Sequence, residues 1–136
     1  MSEKVTRQIS TEKGALIPAV GLGCYKARGR EAVQAVCFAA EAGYRLFDTA
    51  ARYENEREVG QGLRQSGLSR ESSYVVTKIW PTDFEKPRQA LEFSLRELKL
   101  DYIDCWLLHW PTANTALRHR AYEAALKAKQ QGLCRS

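Results

Sequence analysis

Three apolar stretches of this chain each run into a side chain capable of proton chemistry. Arg45-Leu46-Phe47 leads into Asp48, and Thr49-Ala50-Ala51-Arg52 then separates that acid from Tyr53. Tyr74-Val75-Val76-Thr77 leads into Lys78, and Ile103-Asp104-Cys105-Trp106-Leu107-Leu108 leads into His109. An apolar strand that ends in a polar residue aims that residue out of the core. If the three strands are parallel neighbours about 4.8 Å apart, their ends span only about 10 Å, which long side chains bridge. Tyr53 can then fold back over the same edge and meet the Lys78 ammonium. A phenol in water titrates near pH 10 and is a poor proton shuttle at neutral pH. A neighbouring cation stabilises its phenolate, and an acid beside the cation keeps that cation charged and placed. The expected chemistry is a tunable general acid, with His109 as a neutral hydrogen-bonding group beside it. Trp80 and Trp110, next to Lys78 and His109 in sequence, would line an apolar pocket at the rim.

The elements that must position these residues alternate along the chain. A hairpin is predicted from Val5–Ser10 and Ala15–Pro18 around the turn Glu12-Lys13-Gly14. A small-residue strand, Ala19–Tyr25, follows, and a helix after Gly29 carries Val33, Val36, Cys37 and Ala40 on one stripe until Gly43. The unit repeats as strand Tyr44–Asp48 and helix Asn55–Gln65, then strand Tyr74–Lys78 and a helix from Pro87 with Leu91, Leu95 and Leu98. The last unit is strand Ile103–His109 and a helix carrying Leu117, Ala121, Ala124, Ala125 and Ala128, closed by Gly132. Strict alternation implies parallel strands joined by right-handed crossovers. An open doubly wound sheet would carry a G-x-G-x-x-G phosphate turn, and Gly21-Leu22-Gly23 has no third glycine in place. Chemistry gathered at strand C-termini points instead to part of a (β/α)8 barrel.

Composition restricts the function classes. The 136 residues, 44% hydrophobic and 27% charged, suit one folded unit. The net charge of +5 comes from Lys and Arg interleaved with Asp and Glu, without the basic stripe and aromatic platform of a nucleic-acid binder. Cys24, Cys37, Cys105 and Cys134 form no C-x-x-C pair and read as reduced thiols, and no metal-ligand spacing is present. The first residues lack the apolar run of a signal peptide, and no window approaches a membrane span. The expected location is cytoplasmic.

Taken together, Gly43-Tyr44-Arg45-Leu46-Phe47-Asp48-Thr49-Ala50, Tyr53-Glu54-Asn55-Glu56, Thr77-Lys78-Ile79-Trp80 and Leu107-Leu108-His109-Trp110-Pro111 closely resemble the aldo-keto reductases. The resemblance covers almost the whole chain. It implies a barrel fold and NADPH-dependent reduction of aldehydes and ketones. Tyr53 would protonate the carbonyl oxygen, Lys78 and Asp48 would tune Tyr53, and His109 would orient the carbonyl. It also implies that Gly23, Cys24 and Tyr25 lie near the nicotinamide with Asp48, and that Tyr25, Trp80, His109 and Trp110 contact a small carbonyl substrate.

The family barrel has eight units, and residues 1–136 hold four, ending at Gly132-Leu133-Cys134-Arg135-Ser136 where strand five is expected. The Ser-Asn pair that holds the cofactor carboxamide, and the phosphate loops after strands seven and eight, belong to the later units. A four-unit half exposes strand edges and an inward apolar face, from which self-association is expected. Beside the reductase reading stand a non-catalytic half-barrel acting as an interaction or regulatory subunit, and a truncated fragment of a reductase.

Overall fold

The computed structural model describes residues 7–136; Val5 and Thr6 of the expected hairpin lie outside the described residues. The remainder of the hairpin forms β1 (Gln8–Ser10) and β2 (Leu16–Pro18), antiparallel with Ile9 opposite Ile17. The turn rests on Gly14, whose φ of 79° is one that glycine adopts without steric cost.

The body consists of β3 (Gly21–Gly23), α1 (Gly29–Glu41), β4 (Leu46–Asp48), α2 (Glu56–Gln65), β5 (Tyr74–Ile79), α3 (Pro87–Leu98), β6 (Cys105–Leu108) and α4 (Thr115–Gln130). The four strands form one parallel sheet in the order β3-β4-β5-β6. Spatial order follows chain order without the reversal that makes the ligand crevice of an open doubly wound sheet. This is the progression of consecutive units around a (β/α)8 barrel. The start of a fifth strand is also present: Ile103 bridges Cys134 in parallel, and the Trp106 N–H donates to the Ser136 carbonyl at 2.8 Å.

Alternation along the strands sorts side chains to two faces. Phe47, Val75, Ile79 and Trp106 are buried in the core cluster with Val36, Val59, Leu63, Leu91, Leu98 and Ala121 from the helices. Phe47, fully buried, contributes on the order of 2–3 kcal/mol by its removal from water. The helices approach closely because Gly60 and Gly62 face them without side chains. A Cβ on Gly60 would lie 2.2 Å from the Leu98 carbonyl oxygen, and one on Gly62 would lie 2.6 Å from the Val36 Cβ. On the opposite face, Gly23, Asp48, Val76 and Cys105 share one register row, with Lys78 and Leu107 in the next row. Asp48 and Lys78 therefore sit diagonally on one face at the C-terminal edge.

Candidate active site

The Lys78 ammonium is the centre of the site. Its Nζ pairs with Asp48 Oδ1 at 2.8 Å, donates to the Thr49 carbonyl at 2.7 Å and donates to the Tyr53 hydroxyl at 3.3 Å. The Lys78 side chain is 11% exposed and Asp48 33%, so the pair is partly desolvated and less screened than a surface bridge. Lys78 stands near a strand end because β5 runs three residues beyond the Asp48 row, to Ile79, before Pro81 stops it. Tyr53 arrives by a single 3-10 turn, Ala51–Tyr53, and the chain then reverses at Glu54 in the left-handed conformation, φ 56°. A non-glycine residue there costs on the order of 1 kcal/mol, which the contacts on either side must offset.

The Tyr53 ring is enclosed by aromatic and cationic neighbours. His109 meets it edge-on with centroids 5.6 Å apart, and Tyr25 packs on it at 5.0 Å. Trp80 lies perpendicular to His109 at 5.0 Å. Burial, reinforced by the Lys78 charge and opposed by Asp48, holds the His109 pKa below its ordinary value of 6.5. The ring is therefore neutral at neutral pH, with one nitrogen donating and the other accepting. Its Nδ1 is buried with no protein partner, so the ring contacts set its orientation.

The structure thus brings Asp48, Tyr53, Lys78, His109, Tyr25 and Trp80 to one rim. Trp110 is different: it is 58% exposed and has no ring contact with the others among the described residues. Cys24 is also set apart, since its side chain is 2% exposed and burial raises its thiol pKa to about 12, making it inert. Its neighbours Gly23 and Tyr25 face the rim instead. A Cβ on Gly23 would meet nothing within 4 Å, and Tyr25 is 65% exposed beside Tyr53. Open space over Gly23, flanked by the exposed Tyr25 ring and Asp48, fits a flat ring such as nicotinamide.

Two residues that hold this rim together carried no assigned role in the sequence reading. Asn55 is 1% exposed at the start of α2, where its side chain would ordinarily cap the helix. It is diverted: Nδ2 donates to the Cys24 carbonyl at 2.7 Å and the Ala27 carbonyl at 3.0 Å, while Oδ1 accepts from the Thr49 hydroxyl at 2.8 Å. Thr49 therefore joins both systems, its carbonyl holding Lys78 and its hydroxyl holding Asn55. The signal available in sequence was a buried-type polar pair, Thr49 and Asn55, on either side of the turn that carries Tyr53. Among the described residues no group of three or more His, Cys, Asp or Glu is placed to hold a metal ion, and no helix is long and apolar enough to cross a membrane.

Comparison with known proteins locates this arrangement. Residues 19–136 match the family model described as the Aldo/keto reductase family. The chain is 40% identical over 128 residues to a methylglyoxal reductase of Escherichia coli O157:H7, covering 94% of this chain and 46% of that one. It is 46% identical over 106 residues to a glycerol 2-dehydrogenase (NADP(+)) of Saccharomyces cerevisiae, covering 78% and 34%. Among solved structures, an aldo/keto reductase from Brucella melitensis superposes with a TM-score of 0.92 at 36% identity, covering 96% of this chain and 51% of that one. A Bombyx mori aldo-keto reductase in complex with NADP superposes with a TM-score of 0.86, also at 36% identity, covering 96% and 49%. The chain spans about half the length of the relatives it matches.

Proposed function

Because the chain belongs to the aldo/keto reductase family, we propose that it forms the proton-donating half of an NADPH-dependent reductase of small aldehydes and ketones. The observation that carries this reading is the Lys78 ammonium, ion-paired to Asp48 and bonded to the Tyr53 hydroxyl beside a neutral His109. When bound, NADPH supplies the hydride that the carbonyl carbon accepts. Tyr53 donates its hydroxyl proton to the carbonyl oxygen, and the Lys78 charge stabilises the phenolate left behind. Asp48 holds the Lys78 ammonium in place through their 2.8 Å ion pair, and His109 hydrogen-bonds the same carbonyl oxygen. Gly23, Tyr25 and Asp48 would receive the nicotinamide end of the cofactor. Trp80, with Tyr25 opposite, forms the apolar wall for the substrate. The relatives that act on methylglyoxal and on glycerol with NADP(+) support a small, polar carbonyl compound as substrate.

The test is NADPH oxidation with methylglyoxal, followed by absorbance. Tyr53→Phe should lower kcat by roughly 10² to 10⁴, the range for loss of a positioned general acid. Turnover that survives the substitution unchanged would remove Tyr53 from this role.

A further inference from the structure

Arg52 directly precedes Tyr53, yet it has no place in the proton-transfer network. Its guanidinium carbon lies 5.4 Å over the Trp80 ring, and Trp80 in turn packs against His109 at 5.0 Å. Among the described residues Arg52 makes no side-chain hydrogen bond or ion pair, a state it shares with Arg30, Arg96 and Arg120, whereas Arg28, Arg57, Arg70, Arg88 and Arg135 are each within 4 Å of a carboxylate oxygen; of the four, Arg52 is the one seated on an aromatic ring at the catalytic rim. The cation–π contact fixes the guanidinium at the rim while leaving its donors available. Guanidinium donors in a fixed fork match a carboxylate in two-point geometry. Arg52 and Trp80 also line a groove of about 430 Å³, together with Thr82, Lys86 and Gln89. Glu54 and Asp83 line the groove as well, but Glu54 is held by Arg28 at 3.8 Å. Of the groove's two cations among the described residues, Arg52 and Lys86, Arg52 is the one in contact with Trp80, which packs on His109.

We propose that Arg52 is a specificity-determining residue that binds the carboxylate of an acid-bearing aldehyde, whose carbonyl lies at Tyr53 and His109 and whose chain crosses Trp80. The inference rests on the reductase reading and narrows its substrate class to short aldehyde acids. Trp80 packs the methylenes between the two groups, and the net charge of +5 favours the approach of an anion.

The experiment compares succinic semialdehyde with butanal, its uncharged counterpart, in wild type, Arg52→Gln and Arg52→Lys, with NADPH. The ratio of their kcat/KM values should favour succinic semialdehyde in wild type. It should fall roughly tenfold or more in Arg52→Gln, the effect of losing a charge-assisted pair, and only partly in Arg52→Lys, which keeps the charge without the fork. The wild-type preference should also weaken as salt is raised. A second readout needs no hydride transfer: the Trp80 indole N–H resonance, assigned by its absence in Trp80→Phe, should shift with 4-hydroxybutyrate and not with 1-butanol. That shift should be lost in Arg52→Gln. If butanal and succinic semialdehyde are reduced with a ratio that Arg52→Gln leaves unchanged, the Arg52 assignment is overturned and the reductase reading stands. If neither aldehyde is reduced, the reductase reading fails, and the indole titration decides the anion site by itself: a shift with both compounds or with neither overturns it.

Discussion

Asn55→Ala is the substitution that most directly tests how the rim is assembled. Three hydrogen bonds disappear together, to Thr49, Cys24 and Ala27, at 2.8, 2.7 and 3.0 Å. Each neutral bond contributes about 1 kcal/mol net, and a buried group left without a partner costs about 1–3 kcal/mol. The Ala27 end is only partly buried, so water replaces that bond in part; the Cys24 carbonyl keeps the Ala27 N–H at 3.2 Å. The Thr49 hydroxyl is fully buried and loses its acceptor. The expected loss is therefore about 3 kcal/mol, measured from urea unfolding with the slope unchanged. The loss should be local as well as global. Amide exchange across residues 24–28, which carry Tyr25, should accelerate more than exchange in β5. Thr49→Val removes the other end of the buried pair. In a double-mutant cycle the two substitutions should couple by about 1 kcal/mol, because they share one bond. Purely additive losses, or an Asn55→Ala loss below about 1 kcal/mol, would refute the clamp.

Two further perturbations address buried charge away from the rim. Glu56 is 3% exposed, its Oε1 accepts from the Thr77 hydroxyl and its Oε2 has no partner. Burial raises its carboxyl pKa above the ordinary 4.5, outweighing the opposing hydroxyls of Thr77 and Ser94 and, more weakly, the Lys78 charge, with a small further push from Glu97. The folded state then holds this proton more tightly than the unfolded chain, so its stabilising contribution is full below 4.5 and is lost as pH rises through the folded value. Glu56→Gln should remove that decline, so its urea midpoint should gain on wild type between about pH 4 and pH 8; a constant difference would mean that Glu56 does not titrate differently on folding. At the other end of the sheet, Asp104 is 5% exposed in its side chain and receives Arg70 at 2.7 Å and the Val75 N–H at 2.8 Å. Asp104→Ala leaves the largely buried Arg70 guanidinium without its counter-charge, though still bonded to the Ser73 and Tyr102 carbonyls, and leaves the Val75 N–H without its acceptor; it should cost about 3–5 kcal/mol in urea unfolding, and a loss under about 1 kcal/mol would mean that solvent reaches Arg70 freely.

What could be read from the sequence was set by how local the physical signal is. The ends of β4, β5 and β6 were legible because an apolar run that meets Asp48, Lys78 or His109 declares both the strand and its exit in a few consecutive residues. Alternation with helical stripes such as Leu91, Leu95 and Leu98 then supplied the parallel order, and the motifs supplied the family. Tyr53 was placed by its spacing from Asp48, although the turn at Ala51–Tyr53 and the left-handed Glu54 that aim it leave no composition cue. Leu107, 43% exposed on the inward face, is part of the surface on which the expectation of self-association rests.

Asn55, Thr49 and Arg52 were not legible for a common reason: each acts through a partner that only the fold brings near. Asn55 sits where its type and position predict a helix cap, and only the Cys24–Ala27 loop, about thirty residues earlier, diverts it. Arg52 reads as one more surface cation until Trp80, just past the end of β5, offers its face. The catalytic side chains announce themselves because their strands end there, whereas the residues that position them and select the substrate are recognisable by what they fail to do locally. An N-cap asparagine that does not cap and an arginine without a carboxylate are the two such departures at this rim. Each is a local preference left unmet, and in each the bond made instead leads to the catalytic groups.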